Sequence, residues 1–373
     1  MQVANSKKKV LMVGKFYPPQ YVGGIEYSLQ ETASGLARSG LDVDVVVSSR
    51  NGHSSTEEID GVTVYRVKRV FNVGSVPISL HYPFKLRKLL QAKHYDVVHL
   101  HYPYAIGELS CLFNKINTKL VITYHMNSEY TKLLKKPLIP FMNGLLRKAD
   151  HIIVSSDNLL KNAKHLKNFR DKCVVIPLSV KDEWFDAPGS EAVAALKAEY
   201  GPFVFFAGRL FKTKGADILI EAVRRLDCNL VIAGDGPELE PLKSLAVKLG
   251  ISERVFFIGA QEKKVLKEFY NAAEVFCLPS LAESFGLVLL EAMAAGTPVI
   301  STELGTGTTY INKHEETGLV VDPGNAGMLE EAVKKLMDDE PLRLRMGTAA
   351  RRRAEDVFCE DFVLSQIMEL YRA

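Results

Sequence analysis

The sequence has little that would staple or embed it. Its five cysteines, Cys111, Cys173, Cys228, Cys277 and Cys359, are scattered, odd in number and never spaced as C-x-x-C. That pattern excludes a disulfide framework and a cysteine-based zinc site, and it points to a reducing compartment. No stretch approaches the ~18 uninterrupted apolar residues of a spanning helix. The opening MQVANSKKKVLMVGKFYPP is basic, but its apolar run is too short for a signal peptide. A cytoplasmic protein is therefore expected. Short-period repeats and low-complexity tracts are missing, the formal net charge is only +3, and no nucleic-acid partner is expected.

What is there is ample material for two cores. A length of 373 residues is about twice that of a common single domain. The near-neutral total hides an asymmetry: residues 1–180 hold 25 Lys and Arg against 13 Asp and Glu, and the remainder 22 against 31. A basic half of this kind suits an anionic surface or substrate, and it also suits plain solvation.

Short β-branched runs alternate with amphipathic stretches, which signals repeated β-α units around a parallel sheet, an α/β fold. Strands are expected over 9–13, 43–48, 62–67, 96–101, 120–124, 151–155 and 174–177. The rhythm restarts after 181–189, where Pro188-Gly189 marks a break, with strands over 203–207, 229–233, 255–258, 275–278, 298–301 and 319–321. Ile25, Leu29, Thr32, Ala33 and Leu36 recur at helical spacing, with Gly40 as the stop. The division expected is a Rossmann-like domain over 1–180, a second over 181–357, and a helix over 358–373 packing back on the first. Open parallel sheets bind ligands at the carboxyl ends of their strands.

The sharpest constellation is Glu283-Ser-Phe-Gly-Leu-Val-Leu-Leu-Glu291, read as opening a helix after the strand 275–278. The backbone N–H groups of Phe285, Gly286 and Leu287 in a first turn make an anion site, and Gly286 admits close approach. Glu291 lies in a run too apolar to leave a carboxylate unpaired, and ribose hydroxyls are natural partners for it. Fully helical spacing separates the two carboxylates by up to ~12 Å, too far for a retaining glycosidase pair at about 5–5.5 Å. Glu283 alone reads equally as a helix cap. Arg209 and Lys214, in GRLFKTKG after the strand 203–207, offer a planar fork and a point charge for a diphosphate. That stretch is not a P-loop, because its lysine is not followed by Ser or Thr and its glycines are wrongly spaced. Gly234-Asp-Gly-Pro237 is a tight turn, and Ile258, ending a strand, has backbone groups to offer a base edge.

GRLFKTKG, AGDGP, FFIG, the E-x7-E of ESFGLVLLE and AAGTPVI, in this order, resemble glycosyltransferase family 4. The resemblance implies the GT-B fold, two facing Rossmann-like domains with a deep interdomain cleft, the first binding acceptor and the second nucleotide sugar. It implies that Arg209 and Lys214 hold a diphosphate, Glu291 the ribose and Glu283 the transferred sugar, with the amides of 285–287 on phosphate or sugar hydroxyls.

In the first half, Gly23 and Gly24 open the helix after the first strand, and paired glycines there allow close approach to an anion or a reacting sugar. Their spacing is not that of a dinucleotide fingerprint. The resemblance places this pair near donor phosphate and acceptor, and places His125, after the strand 120–124, against the transferred sugar. Many relatives carry an acid where Asn127 stands. His99 and His101 share a strand face as metal ligands do, without a third ligand. Asp42-Val-Asp44 resembles a metal-binding D-x-D but reads as polar positions within a strand. No metal or cofactor is expected. The segments 81–95 and 130–148 interleave basic and apolar residues, which suits a membrane interface, a lipid diphosphate, or helix packing with snorkelling lysines.

The resemblance implies transfer with retention at the anomeric carbon, without a metal. The stretch Glu303-Leu-Gly-Thr-Gly-Thr-Thr and the GKFYPP opening are most similar to bacterial mannosyl- or rhamnosyltransferases of surface-polysaccharide assembly. GDP-mannose, or GDP-rhamnose, and a lipid-linked acceptor on the inner face of the cytoplasmic membrane are therefore expected. A UDP-hexose donor and a catalytically silent subunit are the alternatives. A nicotinamide dehydrogenase lacks its glycine fingerprint and ribose-binding acid.

Overall fold

The computed structural model describes residues 7–20, 23–73, 76–126 and 132–373. The chain divides into one unit of Met1–Ile176 with Leu364–Ala373, and a second of Pro177–Val363. Each is built around a sheet whose central strands are buried and mostly apolar, because helices cover both faces of a parallel sheet. In the strand Lys9–Val13, for instance, Val10, Leu11, Met12 and Val13 are all fully buried.

The strands of unit 1 are β1 (Lys9–Val13), β2 (Asp42–Ser48), β3 (Ser55–Ile59), β4 (Val62–Val67), a small hairpin of β5 (Phe71–Val73) and β6 (Val76–Ile78), then β7 (Val97–Tyr102), β8 (Lys119–Tyr124), β9 (His151–Val154) and β10 (Cys173–Val175). The main sheet runs β10-β9-β8-β7-β1-β2-β4-β3, parallel except for the β3–β4 edge. The edge strand β3 departs from the expected strand set. Its residues are mostly exposed and carry no apolar alternation, so its pairing rests on the turn, the backbone ladder and the ion pair of Glu57 with Arg66. That turn is Asp60-Gly61 with φ of 51° and 75°, the left-handed pair that closes a two-residue hairpin.

Unit 2 holds β11 (Phe203–Ala207), β12 (Asn229–Ala233), β13 (Val255–Gly259), β14 (Val275–Leu278), β15 (Val299–Thr302) and β16 (Gly318–Val321). Their order is β13-β12-β11-β14-β15-β16, all parallel. This is the doubly wound arrangement, and its order reverses between β11 and β14. The carboxyl ends of those two strands are therefore where a ligand crevice forms.

The helix Glu360–Arg372 carries the chain's last residues into unit 1. Its final carbonyls are satisfied by two lysines: Lys8 Nζ donates to Tyr371 O at 3.1 Å, and Lys119 Nζ to Leu370 O at 3.3 Å and Tyr371 O at 3.1 Å. Cations are favourable at this end of a helix dipole. The two cores are separate: one gathers Leu11, Leu100 and Ile122, the other Phe205, Phe276 and Met293.

Candidate functional site

The reversal in unit 2 brings together two loops that are far apart in sequence. One leaves β11 through Gly208-Arg209, the other leaves β14 through Pro279-Ser280. They are joined by backbone, with Leu281 N donating to Thr213 O at 2.8 Å. Gly215 has φ +69°, and a Cβ there would lie 2.2 Å from Pro279 O, so only glycine fits. Across this junction Lys214 Nζ pairs with the Glu283 carboxylate, both side chains mostly buried. The other Glu283 oxygen accepts from Ser284 N at 3.1 Å. Arg209 is exposed, its guanidinium 5.2 Å from the Phe211 ring centroid. The loop beneath it is fixed from β12, with Leu210 N donating to Asp235 O and Glu238 N to Leu210 O.

Glu283 and Glu291 do not share a helix, which corrects the expectation of continuous helical spacing. The helix spans only Leu287–Ala294, capped by Gly286 at φ +92° and ψ +61°. That left-handed residue breaks the turn, so Phe285 precedes the helix and Leu287 begins it. The Phe285 ring is buried, 6.3 Å from Phe358, while Ser284 O accepts from Gly307 N at 2.9 Å. Glu291 accepts a 2.9 Å hydrogen bond from Tyr270 OH. Burial raises its pKa from 4.5 to about 7, against the pull of the Tyr270 bond and of Lys263. Tyr270 was not legible as its partner, since it sits on another helix, Lys263–Ala272, with no local signal. Ile258 is the penultimate residue of β13, and its carbonyl accepts from the Gln261 side chain.

In unit 1, Gly23 caps the helix Gly24–Arg38, and Tyr27 N donates to Gly23 O at 2.8 Å. A Cβ at Gly24 would meet nothing within 4 Å, so packing does not demand glycine there. The loop before it is held by the buried Arg66, which donates to Tyr17 O at 2.8 Å and Pro18 O at 2.9 Å. His125 follows β8. It is buried with His99 and His101 of β7, and burial lowers all three pKa values, to about 3 for His99 and about 4 for His125. These imidazoles are neutral near pH 7. His99 is fully engaged, Nε2 with Thr123 Oγ1 at 2.7 Å and Nδ1 with Tyr371 OH at 2.6 Å. Among the described residues no group of three or more His, Cys, Asp or Glu is placed to hold a metal ion. Asn127 lies outside the described residues, as does part of 130–148.

Asp44 is not a flanking polar position: it is wholly buried and takes hydrogen bonds from Lys93 at 2.7 Å and Tyr95 at 2.5 Å. Several of the basic residues have structural partners of the same kind. Lys85 lies 4.3 Å from the Tyr65 ring centroid, and Lys148 Nζ donates to Asn114 O at 2.7 Å and Cys111 O at 2.9 Å. Phe84, Phe113 and Phe141 are exposed, the last two edge to face at 6.0 Å. Among the described residues no helix is long and apolar enough to cross a membrane.

Residues 191–353 match the family described as glycosyl transferases group 1, and residues 22–184 match Glycosyltransferase Family 4. The chain is 31% identical over 367 residues to the O-antigen chain mannosyltransferase C of Escherichia coli, covering 97% of this chain and 98% of that protein. It is 31% identical over 353 residues to the D-rhamnosyltransferase WbpZ of Pseudomonas aeruginosa, covering 94% and 92%. Among solved structures, HepE of Anabaena in complex with UDP has a TM-score of 0.79 at 18% identity, covering 97% of this chain and 99% of that one.

Proposed function

The chain belongs to the family 4 glycosyltransferases, with the GT-B fold, and from that premise we propose that it transfers mannose from GDP-mannose to a lipid-linked glycan in O-antigen or related surface-polysaccharide assembly. Unit 2 holds the nucleotide sugar and unit 1 the acceptor. The observation that carries the reading is the pairing of Lys214 with Glu283 at the strand reversal of unit 2, on the loop that Arg209 opens and ahead of the helix that bears Glu291. It supplies two cations for a diphosphate and two carboxylates for hydroxyl groups, at the edge where doubly wound sheets bind ligands.

In this reading Arg209 and Lys214 grip the diphosphate, with the amides of Gly286 and Leu287 at the helix start adding donors. Phe285 serves by packing, and its own amide lies one residue before the cap. Glu291 accepts from the ribose hydroxyls, Ile258 lies toward the base, and Glu283 exchanges Lys214 for hydroxyls of the sugar. Gly23 and Gly24 leave room for backbone to approach phosphate or acceptor, and His125 faces the transferred sugar.

Transfer breaks the bond between the anomeric carbon and the phosphate oxygen, and forms one to the acceptor oxygen on the same face. The acceptor's proton passes to a phosphate oxygen, and nucleoside diphosphate leaves. Charge grows on the leaving group as the bond stretches, so Arg209 and Lys214 stabilise the transition state without a metal. A neutral His125 with a pKa near 4 orients hydroxyls and does not act as an acid.

Exposed Phe84, Phe113 and Phe141, with Arg87 and Lys88 on the helix of Phe84, suit the interface of an anionic membrane. The enzyme then works as a peripheral protein on its inner face. A thermal-shift and turnover panel across GDP-mannose, GDP-rhamnose and UDP-hexoses tests the donor. Selective stabilisation by GDP and turnover of GDP-mannose is expected; preference for uridine nucleotides would overturn it.

A further inference from the structure

The structure assigns His101 as a positioning residue that fixes His125 in the Nδ1–H tautomer, so that His125 presents a hydrogen-bond donor to the sugar. The inference rests on the proposed place of His125 and deepens it.

Register sets the contact. β7 and β8 are parallel, with His99 opposite Val121 and His101 opposite Thr123. Alternation puts His99 and His101 on one face of β7, and Thr123 and His125 on one face of the neighbouring strand and its extension. His125 N donates to Tyr102 O at 3.2 Å, which continues the strand pairing one residue further. The rings of His101 and His125 then lie with centroids 5.1 Å apart, and His101 Nδ1 is 3.0 Å from His125 Nε2.

A single proton lies between those two nitrogens, since both rings are neutral. It belongs either to His101 Nδ1 or to His125 Nε2, and the far side of His101 decides which. His101 Nε2 is buried and has no hydrogen-bond partner among the described residues. If His125 donated, His101 would accept through Nδ1 and carry its own proton on Nε2, a buried N–H aimed at nothing. If His101 donates, Nε2 is left as a bare lone pair. Orphaned buried donors are the rarer and more costly of the two. The proton therefore sits on His101 Nδ1, His125 accepts through Nε2, and His125 carries its own proton on Nδ1. Nε2 is the only ring nitrogen of His125 engaged in a hydrogen bond among the described residues.

His99 does not compete for this proton, because hydroxyls of Thr123 and Tyr371 occupy both of its nitrogens. The consequence is a directional preference at the site. An oxygen that faces His125 must accept, so a hydroxyl there spends its own proton on another partner. A group with no lone pair leaves Nδ1–H unmet.

The test uses the full chain labelled with 15N-histidine. NMR of the ring nitrogens is expected to show His125 protonated at Nδ1 and bare at Nε2, with His125→Gln assigning the signals. His101→Asn keeps an N–H near the position of Nδ1, and His101→Leu removes it. Loss of one oriented hydrogen bond predicts about a tenfold fall in kcat/KM for His101→Leu, mostly in kcat, and return to within about threefold of the parent for His101→Asn. A bare Nδ1 on His125 overturns the inference, as does His101→Leu matching His101→Asn in turnover. If His101→Leu does not fold, the tautomer in the unsubstituted chain decides. The expected tautomer alongside undiminished transfer by His125→Gln would instead sink the placement of His125 at the sugar and leave the tautomer standing.

Discussion

Lys214 and Glu283, 69 residues apart in sequence, are ion-paired across the point where the sheet of unit 2 reverses its strand order. Each group neutralises the other, so on the proposed assignment a diphosphate competes with Glu283 for Lys214. In that reading displacement frees the carboxylate for the sugar's hydroxyls at the same moment, and the two halves of donor binding are coupled. Glu283→Gln should therefore bind nucleoside diphosphate about three- to tenfold more tightly, the range expected for removing a partly exposed competitor. Its sugar transfer should fall at least about a hundredfold. Calorimetry with GDP and a turnover assay read the two effects. Equal or weaker GDP binding would mean that the pair does not compete with the ligand.

Arg209→Ala and Lys214→Ala should each weaken nucleoside diphosphate binding by about ten- to a hundredfold, the scale of a lost charge-assisted hydrogen bond. Arg209→Lys should recover only part of the loss, because an ammonium does not reproduce a planar fork. Calorimetric titration checks both, and full recovery by lysine would show that charge alone suffices.

Glu291 predicts a pH dependence. With a pKa raised to about 7, it holds a proton in much of the population at pH 6 and little at pH 8. On the proposed role of Glu291 the ionised form accepts from the ribose hydroxyls, so affinity should rise with pH through about 7 and then level, and Glu291→Gln should abolish the slope. Tyr270→Phe removes a bond that favours the ionised form and should move the midpoint upward. Stability runs the opposite way. A folded pKa above the unfolded 4.5 gives a contribution present below 4.5 and lost as pH rises through 7. Glu291→Gln should accordingly be more stable than the parent at pH 8, by about 3 kcal/mol, and show no such gain at pH 4.

Two glycines should separate fold from function. Gly215→Ala must place a methyl 2.2 Å from Pro279 O at positive φ, so it should lose several degrees in melting temperature. Gly24→Ala meets open space and occupies a helical position, so stability should hold or rise slightly. Its transfer activity should nevertheless fall if phosphate or acceptor approaches this backbone. Paired melting and turnover measurements test this contrast.

Phe84→Ser with Phe113→Ser should reduce cosedimentation with phosphatidylglycerol vesicles by about tenfold, given the apolar area involved, at unchanged melting temperature. Unaltered binding would place the membrane contact elsewhere.

The sequence disclosed the strand skeleton because buried parallel strands read as continuous β-branched runs with little room for ambiguity. It did not disclose β3, whose pairing depends on Asp60-Gly61 and not on its own apolar content. Glu291 was conspicuous as a carboxylate in an apolar run, but its partner Tyr270 lies 21 residues upstream on another helix. The start of the helix at Leu287 is hidden in the sequence, because Glu283-Ser-Phe has no helix breaker until Gly286, and a left-handed φ is invisible in residue type alone. The pairing of Lys214 with Glu283 follows from strand order, which no local pattern encodes. His101 suffered the same limit, since its partner is set by the register between two strands.

The lysines that hold the carbonyls of Leu370 and Tyr371 have a consequence for how the chain is made. Residues 364–373 belong to unit 1 yet leave the ribosome after all of unit 2. During synthesis, then, the sheet of unit 1 waits with His99 lacking Tyr371, and its completion must follow translation of the other unit. A released chain truncated after Val363 should contain a complete second lobe and a first one still open to proteases.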